Sequence, residues 1–166
     1  MRDEVDELLE AWGRERGDLD LAPVAVFSRV SRLARRLELA RRDAFAAHGN
    51  EQWEFDVLAA LRRAGAPYEL SPGRLLRETL VTSGTMTNRI DRLSARGLVE
   101  RSPDPDDRRG VIVRLTTEGR AAVDDAFTAL LAAEQALLDH LPERDRTRLT
   151  ALLRTLLAPF HAESGS

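Results

Sequence analysis

The sequence contains neither cysteine nor lysine. Without cysteine the chain has no disulfide framework, no thiolate metal site and no thiol redox switch. All 25 basic residues are arginines, a bias that we attribute first to genomic composition. Arginine is therefore the only strong cation that this chain can offer to a phosphate group.

Long apolar runs and catalytic motifs are also missing. No apolar stretch approaches the roughly 18 residues that a membrane span needs, and the acidic residues 1–6 do not resemble a signal peptide. We therefore expect a cytoplasmic protein without a membrane partner. The sequence has no Gly-x-Ser-x-Gly motif and no glycine-rich phosphate loop, and its three histidines are scattered. These absences predict no enzyme, no metal and no cofactor.

The most informative segment that is present lies between residues 70 and 93, where two short helices joined by a polar turn are predicted. In the second helix Met86, Ile90 and Leu93 have the spacing of one packed face. Small and hydrogen-bonding side chains lie on or near the other side, where they could contact base edges in a major groove. These candidate DNA-binding residues are Ser83, Thr85, Asn88 and Arg92. The pattern predicts a helix-turn-helix.

A β-hairpin with a charged tip is predicted directly after this motif. Apolar residues at 98–99 and 111–115 indicate two strands, and the loop at 102–110 holds three aspartates beside Arg108 and Arg109. Such a tip suits phosphate and minor-groove contacts better than it suits a core. Helix-turn-helix patterns also occur in ordinary helical bundles, so the hairpin is the feature that favours a winged helix bound to double-stranded DNA.

The charge distribution agrees with this interpretation. The chain has a net charge of −3, but residues 70–115 contain nine arginines and six carboxylates, which gives +3 there and −6 elsewhere. A locally basic motif on an acidic body steers that motif toward a polyanion.

Amphipathic helices are predicted on both sides of the motif. Three helices are predicted before the motif. The first spans about 3–14 and the third about 51–64. Between them a long helix follows Pro23, with an apolar stripe at 26, 30, 33 and 37. After the hairpin, Thr116 or Thr117 can cap a helix that runs to about Leu138, and Pro142 opens a last leucine-rich helix. The predicted fold class is mostly α with a small β-hairpin wing, as one domain over 1–166.

The outer helices contain more apolar surface than one winged helix can cover. The DNA-binding lobe is predicted at about 50–115, with dimerisation helices at about 1–47 and 117–160. A two-fold homodimer would bury that surface and present two recognition helices to a pseudo-palindromic operator. The alternative is that these helices fold back over a single monomer.

Three segments resemble the signature of the MarR family of dimeric winged-helix transcription regulators. They are Leu98-Val99-x-Arg101, the tip Asp104-Pro105-Asp106-Asp107-Arg108-Arg109, and Val113-Arg114-Leu115-Thr116-x-x-Gly119. The resemblance covers roughly residues 22–160. The additional N-terminal helix is similar to that of the urate-responsive, PecS-like and trans-aconitate-responsive subgroup. The resemblance implies a repressor that releases its operator when a small anion, urate-like or tricarboxylate-like, binds between the two lobes.

The same resemblance implies four ligand-binding residues, Trp12, Asp56, Arg89 and Arg101. The residues themselves support two of these: Asp56 lies on a helix with apolar side chains around its circumference and is expected to be buried, and Arg89 lies at the edge of the packed face of the recognition helix. As alternatives, Asp56, Arg89 and Arg101 form a plain buried ion-pair network, and Trp12 is a core anchor. The corresponding functional alternative is a DNA-binding or protein-interaction module without an effector.

Overall fold

We describe the chain from a computed structural model that covers residues 2–79, 81–104 and 110–162, with only the backbone of 161 and 162. The helices are α1 (Glu4–Glu15), α2 (Ala22–Ala46), α3 (Gln52–Arg63), α4 (Pro72–Thr79), α5 (Ser83–Ala95), α6 (Thr117–Leu138) and α7 (Glu143–Ala162). The strands are β1 (Glu69–Leu70), β2 (Val99–Pro103) and β3 (Val111–Leu115). The predicted winged helix-turn-helix fold is confirmed.

Side-chain caps fix the beginnings of several helices where the sequence predicted them. The Asp3 carboxylate accepts hydrogen bonds from the backbone N–H groups of Val5 and Asp6 at 2.9 and 3.0 Å and so caps α1. The Thr116 hydroxyl accepts from the N–H of Gly119 at 2.9 Å and caps α6. Both caps satisfy backbone donors that would otherwise lack partners in the first turn.

The sheet has one strand more than the sequence predicted. The antiparallel order is β1-β3-β2, and β1 pairs Glu69 with Arg114 and Leu70 with Val113. The sequence pattern assigns Leu70 to the start of the helix-turn-helix and predicts no strand there. A strand of two residues is too short to show the alternation of apolar and polar side chains by which strands are recognised. The Arg114 guanidinium donates to the Glu69 carboxylate at 2.8 Å, which ties the added strand to the wing.

The main core lies under the helix-turn-helix. Val57, Leu58 and Leu61 of α3 meet Leu75 of α4 and Val113 of β3, and all five are fully buried. Complete burial of each such side chain stabilises the fold by roughly 1.5–3 kcal/mol. Met86, Ile90 and Leu93 of α5 belong to the same core, and α5 packs against α4 and β2.

The outer helices leave apolar surface uncovered in the protomer. Val26, Phe27, Val30 and Leu33 of α2 are between 41% and 56% exposed, and α7 makes only slight contact with the other described elements. Four leucines of α7 are exposed as well, namely Leu152, Leu153, Leu156 and Leu157. None of the described helices combines the length and apolar composition needed to cross a bilayer. Large apolar side chains exposed along two helices in this way indicate an interaction surface.

An ion-pair cluster holds α1 on α2. Arg29 donates to Asp3 at 2.8 and 2.9 Å and to Asp6 at 2.7 Å. The hydrogen bonds from Arg29 are the chief reason that the pKa of Asp3 is lowered from 3.8 to about 2. Since the folded pKa lies below the unfolded one, the stabilisation is fully present above about pH 4 and is lost as the pH falls through 2.

We therefore expect the Arg29→Met variant to return the pKa of Asp3 toward its ordinary value. Carboxyl-carbon NMR titration of the wild type and the variant measures this directly. As a matched control, Arg35→Met removes an arginine of the same helix for which no ion pair is present among the described residues. An Asp3 pKa that stayed near 2 without Arg29 would contradict the assigned cause.

Candidate nucleic-acid interface

Helix α5 presents one buried and one exposed side, as the sequence predicted. Met86, Ile90 and Leu93 are at most 1% exposed and pack into the core. The four candidate DNA-binding residues of this helix are all exposed, and they are Ser83, Thr85, Asn88 and Arg92. The structure therefore places a hydrogen-bonding surface on a rigidly packed helix, which is the arrangement that a recognition helix requires.

Local hydrogen bonds define both ends of α5. Thr82 is the N-cap, and its hydroxyl lies 2.9 Å from that of Thr85. At the other end Gly97 adopts a φ of 70°, the left-handed conformation that glycine tolerates best. This conformation allows the Leu98 N–H to donate to the Leu93 carbonyl at 3.0 Å, and the chain then enters β2.

Arg92 contacts the N-cap and the first turn of α3. Its Nη2 donates to the Glu51 Oε1 at 2.7 Å, and its guanidinium carbon lies 4.6 Å from the centre of the Trp53 ring. The Arg89 guanidinium carbon lies 5.5 Å from the same ring centre. Sequence patterns do not reveal the roles of Glu51 and Trp53, because these residues precede the arginines by more than 35 positions and no local pattern links the two segments.

The buried carboxylate of α3 is Glu54, and the prediction that Asp56 is buried was wrong. Glu54 is 2% exposed and its Oε2 accepts from Arg96 at 2.6 Å, whereas Asp56 is exposed. Apolar residues do surround much of α3, but the exposed stripe passes through Gln52, Asp56 and Arg63. One edge of the helix is thus left open to solvent.

Asp56 nevertheless has an unusual electrostatic setting. It lines a crevice with Phe55, Ala59 and Arg63, and the resulting desolvation raises the pKa of its carboxyl group. Arg89, Arg63 and Arg41 oppose that rise through their positive charges. The structure therefore places Arg89 near enough for its charge to act on Asp56, while no ion pair between the two is present among the described residues.

The other two predicted ligand residues lie elsewhere in the protomer. Arg101 binds Asp91 at 2.7 Å, and Trp12 is 50% exposed near the end of α1. The crevices that contain Asp56 and Arg89 are lined by neither of them. The alternative from the sequence, a buried ion-pair network, is also absent from the described part of the chain: Asp56 is exposed, and Arg101 pairs with Asp91 rather than with Asp56. Nor is Trp12 a core anchor in the protomer.

The base of the wing is a regular hairpin. Residues Val99 to Pro103 pair with Val111 to Leu115 in register, and the Asp104 N–H donates to the Gly110 carbonyl at 3.0 Å. Arg108 and Arg109, the predicted phosphate contacts, lie outside the described residues. Within the described ranges no group of three or more histidines and carboxylates could hold a metal ion.

Comparisons with known proteins agree with this geometry. Residues 49–110 match a family model described as MarR family. The chain is 36% identical over 150 residues to the HTH-type transcriptional regulator PecS of Dickeya dadantii, covering 90% of each protein.

Two solved structures are similar to this chain as well. A mutant of Escherichia coli MarR complexed with operator DNA has a TM-score of 0.66 and 25% identity, covering 94% of this chain and 99% of that one. Bordetella bronchiseptica BpsR, whose DNA binding is regulated by 6-hydroxynicotinic acid, has a TM-score of 0.65 and 30% identity, covering 79% of this chain and 91% of that one.

Proposed function

This chain belongs to the MarR family of DNA-binding transcriptional regulators, in its PecS-like subgroup, and from that premise we propose that it is a homodimeric repressor released from a pseudo-palindromic operator by a small anion. The observation that carries the proposal is the position of Arg89. It lies on the recognition helix, it is half-buried next to Trp53, and it acts electrostatically on Asp56.

Dimerisation is supported by the uncovered apolar surface of α2 and α7. A helix such as α7, which makes little contact within its own protomer, needs another apolar partner to bury its leucines. A second copy supplies one through a two-fold interface and places a second α5 on the same face of the duplex. These observations favour the dimer over outer helices that fold back on one monomer.

Anion release is supported by the charges around Asp56. Among the described residues no carboxylate lies within ion-pair distance of Arg89, whereas Arg41 binds Glu134 and Arg63 binds Glu78. Arg89 is thus the cation of this group that is open to a new anionic partner. A bound anion would pair with Arg89 and repel Asp56, and this would shift the balance of forces between α3 and α5. Trp12 and Arg101 stay predicted contacts of that ligand.

We predict that Arg92 and Asn88 contact base edges, with Ser83 and Thr85 beside them. Arg92→Ala should cost roughly 1–3 kcal/mol of operator binding and relax the preference at one or two base pairs in each half-site. Selection of binding sites from a random duplex library by the wild type and the variant measures both effects. A uniform loss over all sequences would instead assign Arg92 to phosphate, the contact predicted for Arg108 and Arg109.

The anion response is tested by titrating operator release with urate, citrate, trans-aconitate and 6-hydroxynicotinate. We expect Arg89→Ala to retain the dimer and to require at least about ten-fold more of the active anion, since it loses the cation that binds the anion. Asp56→Asn should also retain the dimer, and the anion should release less of its operator even at saturation, since this variant loses the repulsion that couples the ligand to the helices. Arg77→Ala, which removes an exposed arginine of α4, is the matched control and should respond as the wild type does. If no anion of the panel releases wild-type protein at millimolar concentration, a regulator without such an effector is the better description.

A further inference from the structure

The N-cap and first turn of α3 make contacts that neither the family resemblance nor the charge pattern predicted. Glu51 accepts a hydrogen bond from Arg92 at 2.7 Å, and Trp53 lies under the guanidinium groups of Arg92 and Arg89 at 4.6 and 5.5 Å. We call Glu51 and Trp53 the α3 clamp. Both contacts act on side chains of the exposed face that α5 would turn toward DNA.

We infer that the α3 clamp sets the DNA specificity of this regulator by holding Arg92 in one orientation and away from non-specific phosphates. Glu51 and Trp53 are thus positioning residues, and the inference rests on the proposed use of α5 for base contacts. Glu51 offers Arg92 an internal carboxylate that competes with the DNA backbone. Trp53 provides a flat surface that fixes the plane of the guanidinium.

The exposure of the pair argues for this role and against a role in folding. The Arg92 and Glu51 side chains are 53% and 60% exposed, and ion pairs this open to solvent add little to stability. What the ion pair does instead is to fix the position of the Arg92 guanidinium charge. The hydrogen bond from Arg92 is the main reason that the pKa of Glu51 is lowered.

The clamp discriminates because its cost is the same on every DNA sequence while its compensation is not. Arg92 must give up part of its contact with Glu51 to reach any duplex. A matching guanine compensates with two parallel hydrogen bonds in the guanidinium plane, which Trp53 has already oriented. A phosphate approached at random does not gain from that orientation, and it is also repelled by the nearby Glu51 carboxylate. A device that penalises the wrong partner raises specificity without adding a contact.

The test compares two probes, a duplex selected by the wild-type protein from a random library and a random-sequence duplex of equal length. The measured quantity is the ratio of their dissociation constants. Glu51→Gln removes the charge and keeps the shape, and we expect it to lower this ratio about two- to five-fold, the range of an exposed ion pair. The salt dependence of its random-duplex binding should steepen by up to about one phosphate contact.

Glu78→Gln is the matched control, since it removes the same charge from α4 and its ion pair is with Arg63 rather than with α5. It should leave the ratio at the wild-type value. A ratio unchanged in Glu51→Gln, or lowered equally in both variants, overturns the inference. Failure of the wild type to select any sequence would instead refute the proposed base contacts, so the two failures are distinguishable.

Trp53 is tested by a conservative pair of variants. Trp53→Phe retains an aromatic face and should keep the ratio, whereas Trp53→Leu retains only apolar bulk and should lower it about two- to five-fold, as the loss of an exposed cation–π contact implies. In a Trp12→Phe background Trp53 is the only tryptophan, so its emission reports the clamp directly. We expect that emission to change more with the selected duplex than with the random one. Equal changes with both, or a wild-type ratio in Trp53→Leu, would remove Trp53 from the clamp.

Discussion

Replacing Gly119 by alanine is expected to lower the free energy of unfolding by about 3 kcal/mol, the upper part of the range for overpacked sites. A Cβ atom at this position would lie 1.8 Å from the carbonyl oxygen of Leu98 and 2.8 Å from its carbonyl carbon. Both are backbone atoms, so no side-chain rotation can relieve the clash. The first turn of α6 would have to move away from the base of the wing.

That movement would break the hydrogen bonds that join α6 to the end of the recognition unit. The Thr116 N–H donates to the Leu98 carbonyl at 3.2 Å, and its hydroxyl donates to the Gly97 carbonyl at 2.7 Å. Urea unfolding of the wild type and Gly119→Ala at one fixed protomer concentration measures the loss, because the stability of a dimer depends on concentration.

Gly13→Ala is the matched control for this variant. Gly13 is also helical, but nothing lies within 4 Å of the position that an alanine methyl group would occupy there on α1. Alanine should stabilise α1 by up to about 1 kcal/mol through its higher helix propensity. If Gly119→Ala stayed within about 1 kcal/mol of the wild type, the close approach of α6 to Leu98 would not be a constraint on the fold.

Local periodicity and capping account for most of the helices. The buried positions of Met86, Ile90 and Leu93, and the cap at Thr116, follow from patterns within a few residues. Such patterns depend on the geometry of a single element. They therefore predict where a helix lies and which side it buries, as they did for α5.

Pairs between distant segments could not be predicted in this way. The contacts Glu51–Arg92 and Glu54–Arg96 join residues 41 and 42 positions apart. Arg89 and Arg92 of α5 and its C-cap Arg96 could each have met either carboxylate, and only the tertiary packing decides which of them do. The same limitation explains why Asp56 was predicted to be buried in place of Glu54, two residues away.

The pair Glu54–Arg96 also connects the recognition helix to the end of the long helix α2. Besides Glu54, the Arg96 guanidinium donates to the Gly49 carbonyl at 3.1 Å, and this residue lies in the loop that follows α2. Glu54 in turn accepts from the Glu51 N–H at 2.9 Å, which closes the capping box of α3. The Arg96 guanidinium therefore joins the C-terminal end of α5 both to α3 and to the loop that follows α2.

Arg96→Met should destabilise the protein by about 3 kcal/mol, since removal of one partner leaves a buried carboxylate without its cation. Glu54 is 3% exposed at its side chain, whereas Arg96 is 41% exposed, so the penalty falls almost entirely on the acid. Adding Glu54→Gln to the variant removes the unpaired charge and retains an oxygen for the cap, and it should restore more than half of the loss. The coupling energy from this double-mutant cycle, measured by urea unfolding, gives the energy of the Glu54–Arg96 interaction itself.

Arg63→Met is the control, since it breaks an exposed pair with Glu78 and should cost less than about 1 kcal/mol. Equal losses in Arg96→Met and Arg63→Met would show that burial of Glu54 gives its ion pair no special importance.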